Sequence, residues 1–138
     1  MLGLPLVKIE RRKNVRTGKR ILVIDEDLMV VLSLREHLET EGYEVVCGYD
    51  GLMAIRLAST CAPDLIILDM FMFALNGIKA IDNIRRQTGM QDTPIIVLNG
   101  EPSKRAYSTV VDLPHVVHVK KPLDLKNLSS LIREMLKP

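Results

Sequence analysis

The sequence predicts an α/β domain: an open parallel sheet with helices on both faces. Two observations carry this. Three short runs, Ile21-Leu22-Val23-Ile24, Leu65-Ile66-Ile67-Leu68 and Ile95-Ile96-Val97-Leu98, are apolar at every position. A central parallel strand reads this way when helices cover both of its faces. Between and after these runs, apolar residues recur at threes and fours, and the order strand then helix repeats five times. Right-handed crossovers leave few topologies for such a chain.

Each element has its own signal. After the first run, Leu28, Val31, Leu34 and Leu38 line one helical face, and Gly42 is a stop signal. A weaker strand fits Glu44–Gly48. Asp50-Gly51 opens a helix carrying Ala54, Ile55 and Ala58, which ends before Pro63. Asn76 caps a helix bearing Ile78, Ile81 and Ile84. Ser103 caps a weaker helix running to about Asp112, stopped by Pro114. A fifth strand fits Val116–Val119, interrupted by His118. Asp124 caps the last helix, whose Leu125, Leu128, Ile132 and Met135 form an apolar stripe.

Composition narrows the class. The chain has 138 residues, one domain at ~150 residues each. With 47% hydrophobic and 26% charged residues, it is neither disordered, collagenous nor a coiled coil. No apolar run approaches the ~20 residues that span a bilayer. The apolar Met1–Val7 precedes a basic stretch instead of following one, so no secretory signal is visible. Cys47 and Cys61, fourteen apart, fit neither a zinc knuckle nor a disulfide framework, and are expected to be buried thiols in a reducing cytoplasm. The net charge of +2 is unevenly placed. Residues 1–20 hold seven basic side chains against Glu10, a net of +6, which leaves −4 for the rest. A basic extension over 1–18 therefore precedes a domain over 19–138. The extension reads as a solvated leader or as a contact to nucleic acid or an acidic partner. No aromatic is interleaved to stack bases.

In open parallel sheets, ligands bind beyond the carboxyl ends of the strands. Here those ends carry Asp25-Glu26-Asp27, Asp69, Asn99-Gly100 and Lys120-Lys121-Pro122. With strands ~4.8 Å apart, carboxylates and an ammonium converge. Clustered carboxylates repel unless a cation intervenes. Hard oxygen donors completed by water suit Mg²⁺, a lysine suits a phosphoryl oxygen, and an aspartate can attack phosphorus to give an acyl phosphate. Any one of these residues alone would be a solvated strand end. Their presence on successive strands favours metal-assisted phosphoryl transfer to Asp69.

Taken together, Ile21–Asp27, the run Asp64–Asp69, Asn76-Gly77 and Lys121-Pro122 resemble the receiver domain of two-component response regulators, over roughly residues 19–136. The resemblance implies a flavodoxin-like sheet in 2-1-3-4-5 order with five helices. It implies that Asp69 accepts a phosphoryl group from a kinase histidine with Mg²⁺. Asp25, Glu26, Asp69 and the Phe71 carbonyl would hold the metal, and Lys121 would contact the phosphoryl group, with Pro122 commonly in a cis peptide. Partners would be a histidine kinase or phosphotransfer protein and a downstream protein, with a homodimer left open. No nucleic acid or membrane contact is expected of the domain itself, and no enzymatic activity beyond self-catalysed transfer and slow autodephosphorylation.

Departures from the family pattern bear on the readout. Asn99 stands where a Thr or Ser hydroxyl is usual, and His118 where an aromatic is common. Phe73-Ala74 replaces a Pro-Gly pair. Phe71 lines the pocket mouth, and Glu101 stands where a residue often influences the attacking water. Phe71, Met72 and Phe73 make an apolar cluster that either packs down or forms a docking surface or lid. A pseudo-receiver that binds partners without phosphorylation is the alternative. A phosphoester hydrolase would want an acid where Phe71 stands. His115 and His118 would point to opposite faces of a strand and are not expected to bind metal. No Gly-rich phosphate loop, HExxH or GxSxG occurs.

Overall fold

The computed structural model describes residues 18–72, 75–99 and 113–138. Five strands, β1 (Arg20–Ile24), β2 (Glu44–Gly48), β3 (Leu65–Asp69), β4 (Ile95–Asn99) and β5 (Val116–Lys120), form one sheet in the order β2-β1-β3-β4-β5. Every pairing is parallel. Four helices lie among the described residues: α1 (Leu28–Thr40), α2 (Gly51–Cys61), α3 (Gly77–Arg85) and α4 (Leu125–Met135). The helix expected from Ser103 to Asp112 falls outside them.

Alternation along each strand explains the three apolar runs. Ile21, Val23, Leu65, Ile67, Ile96 and Leu98 face a layer made by Val31, Leu34 and Leu38 of α1 with Leu128 and Ile132 of α4. Leu22, Ile24, Ile66, Leu68, Ile95 and Val97 face Ala54 and Ala58 of α2 and Ala80, Ile81 and Ile84 of α3. Both faces are therefore dry, and all twelve side chains are fully buried. One expectation needs correcting. Leu28 does not join the α1 stripe and is 52% exposed, because it sits in the first turn, above the layer that Val31 opens.

Each helix starts on a side-chain cap, which satisfies one orphan N–H and contributes about 1 kcal/mol. Asp27, Asp50, Asn76 and Asp124 accept from the backbone of Met29, Met53, Lys79 and Asn127 at 2.8–3.1 Å. Gly42, with φ at +94°, follows α1 in the left-handed conformation that favours glycine. At the foot of the sheet, Arg20 Nε bonds Glu44 Oε1 at 2.9 Å. The Arg20 backbone N–H donates to Asp64 at 2.7 Å, and its guanidinium donates to the Cys61 carbonyl. Arg85 spreads its fork over the carbonyls of Met90, Thr93, Pro114 and His115, tying α3 to the entries of β4 and β5.

The start of α2 is pressed against the segment that follows β3. A Cβ at Gly51 would fall on the Leu75 carbonyl oxygen and 2.7 Å from Leu75 Cβ. Gly51→Ala is expected to lower stability by about 1–3 kcal/mol, measured as a lower urea midpoint at unchanged slope. An unchanged midpoint would mean that this contact yields freely.

Candidate functional site

Sheet register assembles the strand ends. Ile24 lies opposite Leu68, so one step on, Asp25 and Asp69 stand abreast. Asn99 pairs with Lys120, which places Lys121 just past the sheet. The Lys121 N–H donates to the Asn99 carbonyl at 2.9 Å, and the Lys121–Pro122 peptide is cis. From there the lysine reaches back: Nζ lies 2.8 Å from Asp25 Oδ2 and 3.5 Å from Asp69 Oδ1. Asp25, Asp69 and Asn99 are all buried. Asp25 Oδ1 also accepts the Asp27 N–H at 2.9 Å. Behind Asp69, α3 begins very close: a Cβ on Gly77 would lie 2.9 Å from the Asp69 carbonyl oxygen, and the Gly77 N–H donates to Met70 O at 2.7 Å.

The electrostatics follow from this packing. Burial, then the charge of Asp25, push the Asp69 carboxyl up from 3.8 to about 6, while Lys121 and a hydrogen bond from the Phe71 backbone pull it down. Burial works against the Lys121 ammonium. Its hydrogen bond to Asp25 and the charges of Asp69 and Asp25 outweigh that, and its pKa stands above the usual lysine value. Two buried carboxylates thus share one ammonium. Their oxygens are hard donors of the kind Mg²⁺ takes, and that ion keeps several of its waters. Glu26 is exposed, and among the described residues no three His, Cys, Asp or Glu side chains form a ready metal cluster. The donor set fits a partly hydrated Mg²⁺ and not a dehydrated cage.

The other sequence candidates separate. Phe71 is 49% exposed just past β3, whereas Met72 packs into the core. Phe73, Ala74, Glu101 and the extension up to Thr17 lie outside the described residues. His118 is half-buried in β5, and burial followed by the Lys120 charge holds its imidazole below the usual pKa. His115 precedes β5 and sits 3.4 Å from Asp92 Oδ1. Cys47 and Cys61 are free and partly buried, and burial raises both thiols. Sequence reasoning missed the Asp27 N–H on Asp25 and the close approach of Gly77. The acidic triplet and the Asn-Gly pair were their only traces.

The profile of the response regulator receiver domain matches residues 21–133. The chain is 30% identical over 120 residues to the alkaline phosphatase synthesis transcriptional regulatory protein PhoP of Bacillus subtilis, covering 87% of this chain and 49% of that protein. It is 34% identical over 118 residues to the response regulator MprA of Mycobacterium avium, covering 86% of this chain and 51% of that one. The chain spans about half the length of the curated relatives it matches. Among solved structures, the chemotaxis response regulator CheY4 of Vibrio cholerae superposes with a TM-score of 0.80 at 25% identity, over 87% of this chain and 100% of that one. A CheY-like receiver domain protein of Methanospirillum hungatei gives 0.79 at 22%, over 86% and 93%.

The raised Asp69 carboxyl has a stability consequence. The folded state holds this proton up to about pH 6, whereas the unfolded chain releases it near 3.8. Folding stability should therefore fall as pH rises between those values, by up to about 3 kcal/mol from this group. Asp69→Asn is expected to flatten that window and to raise stability at pH 7 by about 1–3 kcal/mol. Urea unfolding of both proteins at pH 4, 5, 6 and 7 checks it. Parallel pH profiles would show that Asp69 does not carry the strain.

Proposed function

The chain belongs to the response regulator receiver family, and we propose that Asp69 is its phosphoacceptor, charged by a phosphohistidine on a kinase or phosphotransfer protein. The observation that carries this reading is the Lys121 ammonium held against two buried carboxylates, 2.8 Å from Asp25 and 3.5 Å from Asp69. In the transfer, an Asp69 carboxylate oxygen forms the new P–O bond, the N–P bond of the donor breaks, and the imidazole leaves with that electron pair. Lys121 offsets negative charge on the phosphoryl oxygens. Receiver domains generally bind Mg²⁺ at this acidic pocket. In this chain Asp25, Asp69 and the Phe71 carbonyl would hold it, with exposed Glu26 reaching it directly or through water. When bound, the metal neutralises phosphoryl charge.

No helix among the described residues is long and apolar enough to cross a membrane. A further feature supports signalling by protein contact. Exposed apolar side chains gather at the same end of the sheet as the acids. Leu28 and Met29 open α1, Tyr49 follows β2, Leu52 lies in the first turn of α2, and Phe71 follows β3. Apolar residues exposed together mark interaction surfaces. Asn99 and His118, in place of a hydroxyl and an aromatic, alter the readout and not the acceptor chemistry.

Incubation with Mg²⁺ and a small acyl-phosphate donor should add one phosphoryl group by intact mass, absent in Asp69→Asn. No gain in the unmodified chain would favour a binding module without phosphorylation. Glu26→Gln should weaken Mg²⁺ binding at least severalfold in a fluorescence or calorimetric titration, and unchanged affinity removes Glu26 from the site. Phe71 at the pocket mouth should slow hydrolysis by excluding water. Phe71→Asn is expected to shorten the acyl-phosphate half-life by up to ~10-fold, or ~1.4 kcal/mol of barrier. Equal half-lives would rule out shielding.

A further inference from the structure

Among the described residues, the buried polar or charged side chains are Asp25, Asp69, Asn99 and Ser129. The first three belong to the strand ends. Ser129 does not; it lies in α4, facing α1. Its Oγ donates to Glu41 Oε1 at 2.7 Å and lies 2.6 Å from His37 Nε2. A serine hydroxyl has one proton. With that proton directed at the Glu41 carboxylate, the hydroxyl must accept from His37, so Nε2 of His37 carries a proton. Arg133 of α4 adds a looser approach to Glu41, 3.8 Å from Oε2. One buried hydroxyl therefore bridges His37 of α1 and Glu41, the residue that caps its C-terminus, to the middle of α4.

Both bridged helices begin at the candidate site. The α1 cap, Asp27, follows Asp25 and Glu26 directly and gives its N–H to Asp25. The α4 cap, Asp124, lies three residues past Lys121. Elsewhere the two helices meet the sheet through apolar side chains such as Leu34, Leu38, Leu128 and Ile132. Apolar contact is non-directional and tolerates small rotations. Hydrogen bonds weaken steeply with misalignment. The bridge is thus a directional restraint on how α4 is rotated against α1.

We propose that the His37–Ser129–Glu41 bridge is a positioning element for Lys121, fixing α4 against α1 and so the placement of the lysine relative to Asp25 and Asp69. This rests on the acceptor reading above for its catalytic consequence, but not for its structural one. The carboxylates ride on β1 and β3, which the bridge does not touch. Loosening it should therefore move the lysine and leave the two strands in place.

Ser129→Ala tests this in the full chain, with Asn127→Ala, an exposed residue of the same helix, as control. Without metal or donor, nuclear magnetic resonance should show the Lys121 side-chain ammonium and the amides of residues 121–125 shifted in Ser129→Ala. The phosphorylation rate from a small acyl-phosphate donor should fall roughly 3- to 10-fold, below the ~100-fold that a 1 Å misplacement can cost. His37→Leu should reproduce these effects and add little to Ser129→Ala. His37→Gln, which keeps an N–H donor, should restore most of the rate. Shifts confined to residues near 37, 41, 129 and 133 in both Ser129→Ala and His37→Leu would overturn the proposal. If the unmodified chain takes up no phosphoryl group, the acceptor reading fails, and the resonance comparison still decides the bridge.

Discussion

Two carboxylates held side by side out of water at the ends of adjacent strands are the constraint around which the rest is arranged. Parallel neighbours lie ~4.8 Å apart, and two unit charges ~5 Å apart repel by about 3 kcal/mol at an effective dielectric of ~20. Register between β1 and β3 leaves Asp25 and Asp69 no way to separate. The fold meets this with donors and a cation. Asp27 gives its N–H to Asp25, the Phe71 backbone bonds Asp69, and Lys121 approaches both carboxylates from beyond β5. Even so, the Asp69 carboxyl stays raised. The structure keeps an unfavourable charge arrangement, a feature that concentrates at functional sites.

The compensation is unequal. Lys121 sits closer to Asp25 than to Asp69 by 0.7 Å, from 2.8 against 3.5 Å. Each carboxylate also takes one backbone N–H, Asp25 from Asp27 and Asp69 from Phe71, so the nearer lysine is what makes Asp25 the better-satisfied partner. On the acceptor reading, the looser hold of the lysine on Asp69 leaves that carboxylate less neutralised, as a nucleophile needs. A lysine centred on Asp69 would instead have spent its charge on the proposed acceptor. The asymmetry depends on where Lys121 stands, and hence on β5, the Lys121–Pro122 turn and the seating of α4.

The fold was legible because burial on both faces leaves no polar position in a central strand. The runs at Ile21, Leu65 and Ile95 show that, as do the caps at Asn76 and Asp124. The edge strands β2 and β5 read weakly because, among the described residues, one side of each has no strand beside it; most of their residues are half-buried, and His118 is tolerated there. Leu28 misled because periodicity reports a face and not where a helix first meets the sheet. At the site, Asp25, Asp69 and Lys121 were legible from the strand ends. The exposure of Glu26 was not, since adjacent residues leave a strand in opposite directions. Arg20, Arg85 and Ser129 were invisible for one reason: their partners are carbonyls or side chains distant in sequence. Ser129 in particular reads as a polar interruption of an apolar stripe, with nothing nearby to say that His37 and Glu41 satisfy it.

On the acceptor reading, charging and readout draw on different parts of this sheet. The charge arrangement uses β1, β3 and the lysine past β5, all with the residue types that phosphoryl transfer to an aspartate calls for. The departures fall on β4 and β5, at Asn99 and His118. Asn99 is wholly buried, and its carbonyl already receives the Lys121 N–H, so its backbone is pinned to the element that carries the lysine. An amide side chain there is longer than a hydroxyl and offers N–H donors on a planar group. It can meet an incoming oxygen with less travel. A ligand shifts a conformational equilibrium only by its differential affinity for the two states. If Asn99 reaches the phosphoryl position before charging as well as after, that difference is small, and loss of a large switch is compatible with full retention of the acceptor.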